Sequence, residues 1–164
     1  MRYEELDRLT LERCKRGERD ACRRLVKVYQ NGVFAMLQRM LAYKRSRAVV
    51  DELAQETFLR VFKALPSFDP NGAARLSTWI LTVASRLAID ELRRPQLMDP
   101  LSLANDAVDD SLHTTTEQRA RAEQIARAVS ELQPDFRETF VLSVFHDCTH
   151  EEIAHALRIE VGTV

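Results

Sequence analysis

The chain has 164 residues, 45% of them hydrophobic and 30% charged, with a net charge of -1, which suits one domain or two small ones. So small a net charge excludes the overall basicity of a stand-alone DNA binder, so any nucleic-acid affinity must come from a local patch or a partner. No apolar run has the length of a membrane span, and the N-terminal MRYEELDRLTLERC is charged where a signal peptide is apolar, so a cytoplasmic protein without membrane insertion is expected.

Four Gly and five Pro, with few alternating β-branched runs, predict helices throughout. The first is a short one within Tyr3 to Arg16, with Leu6, Leu9 and Cys14 as its apolar residues and Gly17 as a left-handed stop. Asp20 is the expected cap of the second, which runs to about Tyr43 and buries Leu25, Val26, Tyr29, Val33, Met36 and Met40 at three-and-four spacing. Lys44 to Arg47 makes a basic connection, and Asp51 lies near the N-terminus of the third helix, favourable for its dipole. Cys14, Cys22 and Cys148 are far apart with no C-x-x-C, which predicts free thiols.

The third helix, from about Val49 to Leu65, has two unlike faces. Ala54, Thr57, Phe58, Val61 and Leu65 share one side, with Leu53 and Ala64 at its edge, and this side faces a core. The opposite side gathers Glu52, Gln55, Glu56, Leu59, Phe62 and Lys63. Large apolar groups among charges suit a partner surface, although burial of Leu59 and Phe62 within the same chain would also explain them. Pro66 stops the helix, and SFDPNGAAR supplies a turn. Asp69, Asn71 and Arg75 carry donors and acceptors able to read a base edge, or simply build a tight turn.

A fourth helix spans Leu76 to Arg94, with Leu76, Ile80, Val83, Ala84 and Leu87 on its apolar side. Thr78, Thr82, Ser85, Arg86, Ile89 and Arg93 share the other, where hydroxyls and guanidinium groups suit phosphate and base-edge contacts. Trp79 sits between the faces, placed to stack on an unpaired base or to close the core. These two stretches, DELAQETFLRVFKALPSF and LSTWILTVASRLAIDELRR, resemble region 2 of the sigma-70 family in its extracytoplasmic-function (ECF) group. The resemblance implies that Glu52, Gln55, Glu56, Leu59 and Phe62 grip the clamp helices of the largest catalytic subunit of core RNA polymerase. It also implies that the fourth helix and its preceding loop meet the promoter -10 element, the loop cradling a flipped base. Asp69, Asn71, Arg75, Thr78, Trp79, Thr82, Ser85, Arg86 and Arg93 are the candidate contacts. Ser85-Arg86 stands where the family usually has Arg-Asn, which bears on the preferred base.

Residues 95–118 contain five acidic residues and not one Lys or Arg, and read as a flexible acidic linker. By resemblance such linkers thread a basic polymerase channel; a tether without contacts fits the composition equally. From Arg119 a helix runs through Ile125, Ala128, Val129 and Leu132, and Asp135 opens another with Phe136, Phe140, Val141, Val144 and Phe145 inward. Thr149-His150-Glu151-Glu152 is a capping box starting a helix with Ile153, Ala154 and Leu157. This half resembles sigma region 4, whose helix-turn-helix reads the -35 element, with Thr149, Thr163 and Val164 as candidate contacts. Arg158 replaces the usual turn glycine and Glu160 the usual small cap, each at about 1 kcal/mol. Only Gly162, Thr163 and Val164 follow, where a recognition helix needs two or more turns, so a truncated recognition helix is expected.

The expected architecture is therefore all-α: region 2 as a helical bundle over residues 1–94, the acidic linker 95–118, and region 4 over 119–164. The expected function is promoter-directed transcription initiation with core polymerase and promoter DNA as partners, an anti-sigma factor as a further partner by resemblance, and no cofactor or catalytic residue. Two alternatives have their own sequence features. His146, Cys148 and His150 cluster as in a metal site, but His150 and His155 are five apart, about 140° away from facing together. A polymerase-independent helix-turn-helix repressor would have no use for the Glu52, Gln55, Glu56, Leu59 and Phe62 face.

Overall fold

The computed structural model describes residues 5–41, 45–94 and 116–164, among which all regular structure is helical. Seven α-helices are found there: α1 (Arg8–Lys15), α2 (Arg19–Leu41), α3 (Arg47–Ala64), α4 (Leu76–Arg93), α5 (Thr116–Glu131), α6 (Pro134–His146) and α7 (His150–Leu157). Most of the predicted linker lies outside the described residues, and α5 reaches back to Thr116, inside its predicted end.

Helix α1 starts at an Asp7 cap, whose carboxylate accepts from the Thr10 N–H at 2.9 Å. This later start changes the inward phase: Leu6, Leu11 and Cys14 are buried, whereas Leu9, expected inside, is 70% exposed. Gly17 adopts the expected left-handed conformation at φ +79, which a residue with a Cβ takes only at a cost. Asp20 is not the cap of α2: the helix already begins at Arg19, and Asp20 lies in its first turn, where its charge favours the dipole. The Cys14 and Cys22 thiols are free, with sulfurs 3.2 Å apart across the α1–α2 turn.

Helices α2, α3 and α4 pack together around Leu25, Val33, Met36, Val61, Ile80 and Ala84, all fully buried. The α3 core side is as expected except that Ala64 is exposed, and the Thr57 hydroxyl is satisfied by the Leu53 carbonyl at 2.7 Å. Ile89, read with the polar side of α4, is buried. Arg45 closes the bundle: its Nε donates to Glu91 at 2.8 Å and its Nη2 to the Glu91 and Arg94 carbonyls at 2.7 and 3.1 Å. A guanidinium at the carbonyl end of α4 satisfies groups that the helix cannot pair itself.

The second half departs most from expectation. Helix α6 turns Val141, Leu142, Arg137 and Glu138 inward, while Phe136 and Val144, expected inside, are 65% and 55% exposed, and Phe140 also faces out. In α5 only Val129 of the four expected apolar residues is buried; Ala128 is exposed, as are Ile125 and Leu132. The reason lies in Arg137. Its guanidinium, 1% exposed, donates to Val129 O at 3.0 Å, Leu132 O at 2.9 Å and Ser130 O, capping α5, and to Met40 O at 2.6 Å near the end of α2. One cation thus serves two helix C-termini, and α5 and α6 dock on α2 through it.

Candidate functional site: two faces of the helical bundle

The outer face of α3 is open. Glu52, Gln55 and Leu59 are exposed, Leu59 at 66%, while Glu56 and Phe62 are half-buried. The Phe62 ring lies 6.5 Å from that of Phe58, which roots it in the core, and Glu56 pairs with Arg60 at 2.8 Å one turn on. A rooted aromatic beside a free leucine, edged by carboxylates, is an apolar anchor with polar margins.

The loop between α3 and α4 is built by its own polar groups. Leu65–Ser67 forms a 3₁₀ turn that contains Pro66; Asp69 Oδ1 accepts from the Asn71 N–H at 2.9 Å, and Asp69 O from the Gly72 N–H at 3.2 Å. This is the Asx-type turn that the sequence Asp-Pro-Asn-Gly favours, and it leaves the side chains of Asp69 and Asn71 exposed. Lys15 ties α1 to the loop by donating to Phe68 O at 2.9 Å. Trp79 is half-buried against Phe68, ring centroids 5.0 Å apart, so the indole braces the loop. Between α1 and the loop lies a cleft of about 260 Å³ whose lining includes Glu5, Arg8, Phe68, Asn71 and Arg75.

The polar face of α4 is covered. Thr78, Thr82 and Ser85 have lost almost all contact with solvent, because α6 and α7 lie on them; the expected exposure of these hydroxyls is thus not what the fold provides. Thr78 Oγ1 is 3.6 Å from Cys148 Sγ, Thr82 donates back to Thr78 O at 2.8 Å, and Ser85 donates to the Glu138 carboxylate. Arg75 meets Glu152 with both Nε and Nη2, the latter at 3.0 Å, and donates to Asp147 O at 3.2 Å. Arg86 stays exposed while donating to Ala156 O at 2.9 Å; Arg93 is exposed. Burial pushes the Glu138 carboxyl up, with Ser85 opposing, whereas the bond to Glu152 holds the Arg75 guanidinium above its ordinary value.

In α7 the expected capping box is present: Thr149 Oγ1 accepts from the Glu152 N–H at 3.2 Å, and Glu152 Oε2 accepts from the Thr149 N–H at 2.9 Å. Arg158 takes the left-handed turn position at φ 60, and Val161–Thr163 forms a 3₁₀ turn; Thr163 is exposed and Val164, which follows the turn, half-buried. His146 and Cys148 are buried and His150 is exposed; among the described residues no group of three His, Cys, Asp or Glu could hold a metal ion. Sequence reading missed Arg137, Glu138 and Glu152 as partners of region 2. Only the capping role of Glu152 had a local signal.

Comparisons with known proteins identify both halves of the chain. Residues 25–97 match Sigma-70 region 2 and residues 122–164 match Sigma-70, region 4. The chain is 32% identical to RNA polymerase sigma factor CarQ of Myxococcus xanthus over 93% of this chain and 85% of the relative. It is 25% identical to the ECF RNA polymerase sigma factor SigW of Bacillus subtilis (strain 168), over 94% and 86% respectively. Among solved structures, that of CnrH in complex with the cytosolic domain of CnrY shares the fold with a TM-score of 0.64 at 21% identity, over 96% of this chain and 86% of that one. The chain belongs to the sigma-70 family of RNA polymerase sigma factors, in its extracytoplasmic-function group.

Proposed function

We propose that the protein initiates transcription by gripping the clamp helices of core RNA polymerase with the outer face of α3 and reading the -10 element with α4 and the loop before it. The observation that carries the first half is Leu59, an apolar side chain 66% exposed beside the rooted Phe62 and the margin of Glu52, Gln55 and Glu56. Such anchors supply most of the affinity of an interface. Asp69, Asn71 and Arg75 would read the base edge, Arg86 and Arg93 the phosphates, with Thr78, Thr82 and Ser85 beside them. Trp79 acts through Phe68, holding the loop. Thr149, Thr163 and Val164 are assigned to the -35 element on the resemblance of α7 to a helix-turn-helix. CnrH was solved with a domain of CnrY, and this chain is proposed to have an anti-sigma partner of the same kind. Among the described residues no helix is long and apolar enough to cross a membrane, in keeping with a proposed cytoplasmic site of action.

The test is a pull-down of core RNA polymerase with full-length Gln55→Ala/Leu59→Ala protein. Retained helical content and thermal midpoint with loss of polymerase binding is the expected result. Undiminished binding would remove α3 from the contact.

A further inference from the structure

We propose that Cys14 and Cys22 form an oxidisable dithiol site, which a hydroperoxide converts to a disulfide that fastens α1 to α2. Eight residues apart in the chain, which turns back at Gly17 between them, the two have their sulfurs 3.2 Å from one another. Sulfurs already in contact need only a side-chain adjustment to bond, not a shift of backbone. The two thiols differ in access. Cys14 is 4% exposed, whereas Cys22 is half-buried, its Sγ 3.7 Å from the Cys14 carbonyl oxygen. Cys14 directs its S–H at Cys22 Sγ, and burial, reinforced by that bond, pushes the Cys14 thiol up to about 12. Cys22 is therefore the sulfur that meets an oxidant, and Cys14 the one that resolves the product.

The Cys22 thiol gives up its proton to water, and its sulfur attacks the outer oxygen of the hydroperoxide; the O–O bond breaks and the alkoxide leaves, taking up a proton. Cys14 Sγ then attacks the Cys22 sulfenic acid. The S–S bond forms, the S–O bond breaks, and hydroxide leaves with the Cys14 proton as water. The two thiols thus lose two electrons and two protons, and the hydroperoxide becomes an alcohol and water. A reducing compartment keeps such a pair as thiols until oxidant appears. The bond would hold an element that has little grip of its own, since α1 is eight residues long and a helix of that length does not persist unaided. Next to Cys14, Lys15 donates to Phe68 O at 2.9 Å, and the Phe68 ring packs on Trp79. Fastening α1 therefore also fixes a brace of the loop before α4, and Trp79, the one tryptophan of the chain, reports on it.

The test treats the full-length protein with tert-butyl hydroperoxide and maps its peptides without reduction. A Cys14–Cys22 linkage within one molecule, reversed by dithiothreitol, with Cys148 left as a thiol, is the expected result. The oxidised form should melt about 5 °C above the reduced one, and acrylamide should quench Trp79 less. With dimedone present, Cys14→Ser should carry an adduct on Cys22, and Cys22→Ser none on Cys14. No linkage in the folded protein, or oxidation of Cys148 as fast as that of the pair, overturns the site. An oxidised form that melts no higher overturns the fastening of α1, and equal quenching overturns the brace to the loop. An adduct on Cys14 in Cys22→Ser overturns the assignment of Cys22 as the attacking sulfur. Should Cys14→Ser lose helical content, the peptide map and melting of the wild type decide alone.

Discussion

Helices α3 and α4 both pair a core side with a side of mixed, partner-like chemistry, yet the two outer sides have different fates. On α3 it meets solvent with Leu59 uncovered; on α4 it is roofed by α6 and α7, and Thr78, Thr82 and Ser85 are buried. The difference lies in the polar groups each presents. Helix α4 offers the Ser85 hydroxyl and the Arg75 guanidinium to Glu138 and Glu152, beside Val141, Leu142 and Ile153, which are buried in one cluster with the region 2 core. The face proposed for promoter DNA is thus covered in this fold, while the face proposed for polymerase is open.

The strongest way to break this comparison is to destroy the scaffold common to both faces. Val61 is fully buried between them, and Val61→Asp should cost about 4 kcal/mol or more, leaving no folded region 2 by circular dichroism. A variant that melted like wild type would place Val61 outside the core. Next in size is Arg137→Met, which removes the guanidinium joining α5 and α6 to the end of α2 and should cost about 3 kcal/mol. The loss should show as earlier melting of the region 4 helices with faster amide exchange there than in α3; uniform protection across both regions would contradict it.

A pH titration sharpens the contrast further. Burial, reinforced by the Arg39 guanidinium, pushes the His146 imidazole from 6.5 down to about 3, so the folded protein holds it neutral where the unfolded chain takes up a proton. Its contribution to stability is complete above about pH 6.5 and is lost as pH falls from there toward 3. The thermal midpoint of wild type should decline over that interval more steeply than that of His146→Phe, and parallel curves would refute the assignment. The smallest effect belongs to Arg93, which is exposed near the end of α4. Arg93→Ala should leave polymerase binding unchanged and make the salt slope of holoenzyme binding to a -10 element shallower by about one. An unaltered slope would take the end of α4 off the DNA.

Much of this was legible from local pattern. Three-and-four spacing found the helices and the α2–α3–α4 core; Gly17, Pro66 and the Thr149–Glu152 capping box marked stops and starts because such signals act over four residues or fewer. The α3 face was legible for the same reason, since a residue excluded from its own core and covered by nothing else is exposed. The faces of α5 and α6 were not: periodicity assigned Phe136, Phe140 and Val144 inward, but Arg137 and Glu138 had stronger claims on the inside, through carbonyls and a hydroxyl that belong partly to distant helices.

The sequence by itself determined the all-α class, the helix limits to within a few residues at most ends, the region 2 core and the kinship with sigma factors. Tertiary structure alone decided that Arg75 pairs with Glu152 across 77 residues and Arg137 with Met40 O across 97, and that the hydroxyl face of α4 is covered. Helical periodicity records which side chains share a face, a relation fixed by 100° steps along one element. Which distant carboxylate or carbonyl satisfies a buried cation depends on how two helical units dock, and that docking follows from desolvation and hydrogen-bond geometry summed over residues far apart in the chain.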